Sequence, residues 1–249
     1  MFSYQLYSSR NFPPTADTLR MLAAAGYGAV EGLGGRYATP EGLAEIASGL
    51  TENNLVMPTA HFPIELLEAD PDKVIHIAKT LGIANIYCPW IAPEARGTTA
   101  QEWNALGARL QKVGAPLRGA GIGFGWHNHD FEFVALPDGT LPHTALFDGG
   151  PDLEWEMDVA WVIKGGADPF QWIKDYSGRI TAAHVKDIAP AGENANEDGW
   201  ADVGHGTVDW RALMAALRGI GVKNFVMEHD NPSDHHRFAT RSIASVKSY

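Results

Sequence analysis

Residues 156–187 read EMDVAWVIKGGADPFQWIKDYSGRITAAHVKD, and this stretch decides the fold. A β-rich run over 153–159 ends on the polar Asp158. A helical stretch follows over 169–176. A second β-rich run, 180–188, carries His184 and Lys186 near its end. Strand, helix, strand in that order predicts a right-handed crossover between two parallel strands.

The same rhythm extends outward in both directions. Strands are expected at 2–7, 28–33, 56–62, 85–91, 123–129 and 224–229, which with the central pair makes eight. Helical patterns fill most gaps: 15–25 ending at Gly26, 40–50 with Thr39 as cap and Pro40 at the first position, and 71–81 capped by Asp70. A long helix over 99–120 is expected to be interrupted near Pro116, 208–219 is helical, and the tail from Ser233 ends as a helix. Eight βα units in 249 residues predict one closed (β/α)8 barrel domain over residues 1–249. A doubly wound open sheet is the competing arrangement, but it would place a Gly-rich phosphate loop after the first strand, where SSRNFPP stands. Two long connections, 130–152 and 189–207, follow strand ends, which is the catalytic face of such a barrel.

Composition narrows the function. Lys plus Arg is 19 and Asp plus Glu is 30, a net charge of −11. That acidic balance argues against a nucleic-acid partner, since phosphate binding needs clustered cations. Cys88 is the single cysteine, so no internal disulfide forms, and a core role fits it better than that of a nucleophile. The opening MFSYQLYSSRNFPP lacks the pattern of a secretory signal, and no run is apolar enough for a membrane span. A cytoplasmic protein with no membrane partner is expected.

Polar residues collect at the predicted strand ends. They are His61, then His127, Asn128 and His129, then Asp158, then His184 and Lys186, then Glu228 and Asp230. Parity puts 127 with 129, 184 with 186, and 228 with 230 on shared faces. Each has an ordinary reading as a cap or an ion pair. Several buried carboxylates and imidazoles converging from different strands are harder to explain as packing. His76, His143, His235 and His236 read as surface residues. A mixed imidazole and carboxylate set suits a divalent metal such as Mn, Zn, Co or Mg, without choosing among them. Of the aromatics, Trp90, Trp126 and Trp161 are candidates to cover the apolar face of a sugar, or equally outer-layer packing.

The chain resembles the sugar phosphate isomerase/epimerase superfamily, the xylose-isomerase-like barrels that include an apurinic endonuclease branch. YQLYSSR, TAHFP, GWHNHDFEF, EMDVAWVIKGGADP with GRITAAHVKD, DVGHGTVDW and VMEHD carry the likeness, in order, over nearly the whole chain. The resemblance implies one divalent metal held by residues of strands five to eight, with Asp158, His184 and Glu228 as three ligands. The fourth position, a glutamate in many relatives, holds His127 here. This departure implies either a metal bound by two imidazoles and two carboxylates, or a weak or empty site. It also leaves the usual pair of catalytic glutamates incomplete. Glu132 resembles a substrate-binding glutamate of the family and partly stands in as a base. Trp161 occupies a place where some epimerases carry a substrate-binding histidine.

The function this implies is isomerisation or epimerisation of a free or keto sugar, by α-proton abstraction and an enediolate. Glu228 is the expected acid/base, with His129, His127 or Glu132 opposing it. His61, Lys186 and Trp161 are the expected substrate contacts. A dehydratase or lyase acting on a keto sugar, keto cyclitol or 3-keto glycoside begins with the same proton abstraction and is the nearest rival. An apurinic endonuclease would need more metal ligands and a cationic face, and a non-catalytic sugar-binding barrel would need no metal. Relatives are often dimers or tetramers, which implies a homo-oligomer.

Overall fold

The computed structural model describes residues 1–249. Eight parallel strands close into a barrel in the order β1, β2, β3, β4, β5, β6, β7, β10 and back to β1. They are β1 (Phe2–Gln5), β2 (Ala29–Leu33), β3 (Val56–His61), β4 (Asn85–Cys88), β5 (Gly123–His127), β6 (Glu154–Asp158), β7 (Ile180–Val185) and β10 (Asn224–Met227). Two short strands, β8 (Asp187–Ile188) and β9 (Trp200–Ala201), form a separate antiparallel pair. Closure leaves no sheet edge, so strand backbone finds its partners within the barrel.

Most strands stop two or three residues before their sequence pattern does. Their polar C-terminal residues leave the ladder to line the barrel mouth. The 180–188 run is the clearest case, because β7 stops at Val185, Lys186 leaves the ladder, and Asp187 begins the antiparallel pair.

Local sequence sets the helices. Thr39 accepts from Gly42 N at 3.1 Å, and Asp70 from Lys73 N at 3.0 Å, as their cap positions require. Gly26 ends its helix at φ 91°, a conformation costly for any residue with a Cβ. The helix Ala100–Gly119 is not interrupted at Pro116 as expected. The proline falls in the last turn, where few intrahelical bonds remain to lose, and Arg118 Nη2 holds the nearby Gln111 carbonyl at 2.8 Å.

The core lies between barrel and helices, with Trp103, Trp155 and Trp210 among its largest buried side chains. Cys88 is buried there, as expected. His143 is a correction. It sits fully buried in the helix Pro142–Gly149, its ring 4.2 Å from that of Trp155 and 4.5 Å from that of Phe147. That aromatic cage is assembled from separate segments, and burial holds the imidazole neutral, well below its usual pKa. His76 and His236 are exposed, and His235 stacks on Phe12 at 4.1 Å.

Asp187 ties the loop after β7 to the barrel. Its carboxylate accepts from the backbone N–H of Ile188, Gly204, Gly206 and Val208, at 2.8 to 3.1 Å. A Cβ on Gly206 would run into that carboxylate and the Ile188 carbonyl. Asp187→Ala should therefore leave several part-buried donors to water and cost about 1–3 kcal/mol of stability. Hydrogen exchange should quicken at residues 204–208 well before the barrel strands. Unchanged exchange there would show that the loop does not depend on Asp187.

Candidate active site at the C-terminal mouth

A cavity of about 640 Å³ opens at the C-terminal ends of the strands, lined by His61, His127, His129, Lys186, Glu228 and Asp230, with Trp90 and Trp161 among its aromatic walls. Every one of these polar residues belongs to the strand ends singled out by the sequence.

Four donors meet beneath it. Donor atoms of His127, Asp158, His184 and Glu228 all lie within 4.8 Å of one another. Barrel register explains the meeting, since Asp158 of β6 stands opposite His184 of β7. His184 Nδ1 is 2.9 Å from Glu228 Oε2, and His127 Nε2 is 3.9 Å from Asp158 Oδ2. Asp158 does two things at once. Its Oδ1 caps the next helix by accepting from Trp161 N at 3.0 Å, while its buried Oδ2 makes no hydrogen bond. Asn128 fixes this end of β6. Its Oδ1 accepts from Asp158 N and Trp155 Nε1, and its Nδ2 donates to the Asp158 carbonyl.

Lys186 lines the cavity, where the sequence places it, and is also paired within the protein. Its Nζ lies 3.2 Å from Asp158, 3.0 Å from Glu228 and 3.0 Å from Asp230. Burial disfavours the charge, but these carboxylates outweigh it and raise its pKa. The ammonium is thus neutralised inside the protein at the cavity wall.

One layer deeper lie residues the sequence reading missed. Glu31 on β2 and Glu156 on β6 are fully buried, with Gln5 beside them. His61 Nε2 is 2.5 Å from Glu156 Oε2, and His184 Nε2 is 2.7 Å from Glu31 Oε1. Gln5 Nε2 donates to Glu31 at 2.6 Å and lies 3.3 Å from His61 Nδ1. His61, expected to touch substrate, therefore reaches the cavity with both ring nitrogens already facing protein groups. The signals were available: Glu156 shares the parity of Asp158, and Glu31 is a charge inside the otherwise uncharged strand AVEGL.

Electrostatics follow from burial. Glu31 is pushed up to about 7, by desolvation and then by Glu156. Asp158 is pushed up to about 6 by burial, against the pull of Lys186. Burial works against the charge on His184, but Glu156, Glu31 and Glu228 hold its pKa well above the usual imidazole value. Burial and then the neighbouring His184 hold His127 down at about 3. Glu228 stays well below its usual value despite burial, because Lys186 and His184 face it.

Glu132, expected as a stand-in base, does not line the cavity. Its carboxylate accepts from Trp126 Nε1 and from His129 N, both at 2.9 Å. It holds the His129 segment in place. Trp126 is likewise turned into the core and does not line the cavity, which matches its alternative reading as packing. His129 does line the cavity, its ring 5.4 Å from Trp161.

A profile of the xylose isomerase-like TIM barrel family matches residues 19–248. The chain belongs to that family. No curated protein matches this xylose isomerase-like barrel closely enough to report. Among solved structures, it is similar to a sugar phosphate isomerase/epimerase from Parabacteroides distasonis, with 19% identity, 99% of this chain and 93% of that one covered, and a TM-score of 0.82. A probable 3-DHS dehydratase, AsbF, from Bacillus anthracis shares 15% identity over 99% of this chain and 98% of that one, with a TM-score of 0.75. The IOLI protein, solved with a bound zinc atom, shares 15% identity over 99% and 95%, with a TM-score of 0.72. At these identities the likeness is one of fold. This xylose isomerase-like barrel has no helix long and apolar enough to cross a membrane.

The four donors of the mouth fit a divalent cation in kind: two imidazoles and two carboxylates, with Asp158 Oδ2 lacking a hydrogen-bond partner.

Burial pushes the Glu132 carboxyl up to about 8. A carboxyl raised in the folded state contributes stability that is complete below its ordinary pKa, and that is lost as pH rises through the folded value. Glu132→Gln removes this titration. Between pH 5 and 9 the stability of the wild type, followed by urea unfolding, should fall relative to that of Glu132→Gln. Parallel curves would mean that Glu132 is ionised throughout. Glu132→Ala, which leaves two donors without an acceptor, should cost about 2–3 kcal/mol.

Proposed function

We propose that this barrel isomerises or epimerises a free or keto sugar by α-proton abstraction, with one divalent metal held by His127, Asp158, His184 and Glu228. The observation that carries the reading is the double position of Glu228. It belongs to the four-donor set and also lines the cavity. When bound, the metal supplies a Lewis acid that stabilises developing oxyanion charge. Mn, Zn, Co and Mg all remain compatible with these donors.

The protein's own groups divide the remaining work. Glu228 is kept ionised by Lys186 and His184 and takes the proton α to the carbonyl. His129, kept neutral first by burial and then by His127, presents an imidazole to the other carbon. It is the group we assign to relay the proton, giving up its N–H as the other ring nitrogen accepts one. Trp161 covers an apolar sugar face, and the 640 Å³ cavity suits a small sugar. Lys186 holds Glu228 and Asp158 in place, its charge already met by carboxylates.

A second reading is elimination from a keto sugar or a 3-keto glycoside. One observation favours it. Besides Glu228, the cavity's only other carboxylate is Asp230, which Lys186 already engages. A single base and an imidazole suffice for loss of a β-leaving group.

In deuterated water, metal-loaded protein should exchange the α-proton of its keto-sugar substrate, and a chelator should stop the exchange. Glu228→Gln should slow turnover by about 10²–10⁴-fold, the scale of a lost general base. Loaded with manganese or magnesium, Asp158→Ala and His184→Ala should lose metal by elemental analysis. Metal content equal to the wild type in both would rule out the ligand set. New alkene or enone signals from 3-keto glycosides, without exchange-only product, would select elimination instead.

A further inference from the structure

We propose that the barrel holds a second seat for a metal ion, one layer below the mouth, built by His61, His127, Glu156 and His184 and suited to an imidazole-preferring ion of the zinc class.

Three imidazole nitrogens surround one carboxylate oxygen there. Glu156 Oε2 lies 2.5 Å from His61 Nε2, 3.2 Å from His184 Nε2 and 3.3 Å from His127 Nδ1. Ligand atoms about 2.0–2.2 Å from a tetrahedral zinc stand about 3.3 Å from each other, so the His184 and His127 spacings match those around one ion, and the His61–Glu156 hydrogen bond opens to admit it. The whole set of donor atoms lies within 4.8 Å and is buried. Its residues leave two atoms without a hydrogen-bond partner, His127 Nδ1, which faces Glu156 Oε2, and Glu156 Oε1, and Oε2 of the adjoining Glu31 makes no hydrogen bond either. His61 lines the cavity and gives an ion its way in.

The mouth set is different in kind. Two of its four donors, Asp158 and Glu228, already share the Lys186 ammonium at 3.2 and 3.0 Å. Oxygen-preferring ions such as Mg or Mn suit its carboxylates, while three imidazoles and a carboxylate suit zinc.

The two seats share His127 and His184, through opposite ring nitrogens. His127 turns Nδ1 to Glu156 and Nε2 to Asp158, and His184 turns Nε2 to Glu156 and Nδ1 to Glu228. A neutral imidazole has one lone pair. An ion in the deep seat therefore withdraws both rings from the mouth, and zinc becomes an inhibitor of the reaction supported by Mn or Mg. That consequence rests on the proposed reaction, whereas zinc binding does not.

The test is titration of zinc into metal-free protein against a chromophoric chelator, for the wild type, His61→Ala, Glu156→Gln and Asp158→Asn. Loss of an outer-shell partner costs about 10–100-fold in affinity, and loss of a ligand should cost at least that upper figure. His61→Ala and Glu156→Gln should thus weaken zinc by about 100-fold or more, and Asp158→Asn by less than about 3-fold. Cobalt(II), as a spectroscopic stand-in, should give intense tetrahedral absorption in the wild type and Asp158→Asn, and lose it in the other two. Should Glu156→Gln fail to fold by circular dichroism, His61→Ala, at the cavity edge, decides alone. Zinc weakened by Asp158→Asn but not by His61→Ala overturns the proposal, as does a wild type that takes no zinc. Manganese-supported deuterium exchange by the wild type reports on the reaction separately. Its absence would overturn the proposed reaction and leave the zinc affinities to judge the deep seat.

Discussion

Glu31, Glu156, Asp158 and Glu228 are all buried inside one end of the barrel, and the surrounding side chains are arranged to meet their charge. An isolated carboxylate in such a place would protonate or unfold the protein. Here His184 bridges the two layers, with Glu228 on one ring nitrogen and Glu31 on the other. Lys186 spans Asp158, Glu228 and Asp230, while His61 answers Glu156. Removing any one of these cations would strand a buried charge, so the site is also a structural element of the barrel. Glu31 Oε2 and Glu156 Oε1 are left without a hydrogen-bond partner.

Barrel closure is what makes such convergence unavoidable. Alternate residues of parallel strands point inward, and a closed ring of eight strands directs them to one axis. Residues at matching heights then become neighbours however far apart they are in sequence. His127 pairs with Glu156 across β5 and β6, and Asp158 with His184 across β6 and β7. The layers differ in chemistry because strand parity separates them by two residues on β6, Glu156 below and Asp158 above.

The alternation of strands with capped helices was legible in the sequence, and so were the polar strand ends. Those signals are local: a Thr39 or Asp70 cap and a strand ending in a histidine depend on near neighbours. What escaped was set by distant neighbours. Glu31 reads as one charge in a short strand until β2 is placed beside β1 and β3. His143 reads as a loop residue until Phe133, Phe147, Trp155 and Trp172 are gathered around it. Glu132 and Lys186 were located at the mouth, but their partners were not. Trp126, the His129 backbone and three carboxylates claim them, and sequence spacing does not reveal such claims.

The histidine at position 127 changes what the site can do more than its charge suggests. A carboxylate in that place would present two oxygens to one side. An imidazole presents two nitrogens on opposite edges, and the barrel puts Asp158 near one and Glu156 near the other. A group that serves only the mouth would leave Glu156 with His61 and His184 alone. With His127 the lower layer gains a third nitrogen, and the upper layer must share it. With both seats as proposed, the identity of the metal, and not only its presence, would set where the positive charge lies, because imidazole-rich and oxygen-rich donors stand one layer apart.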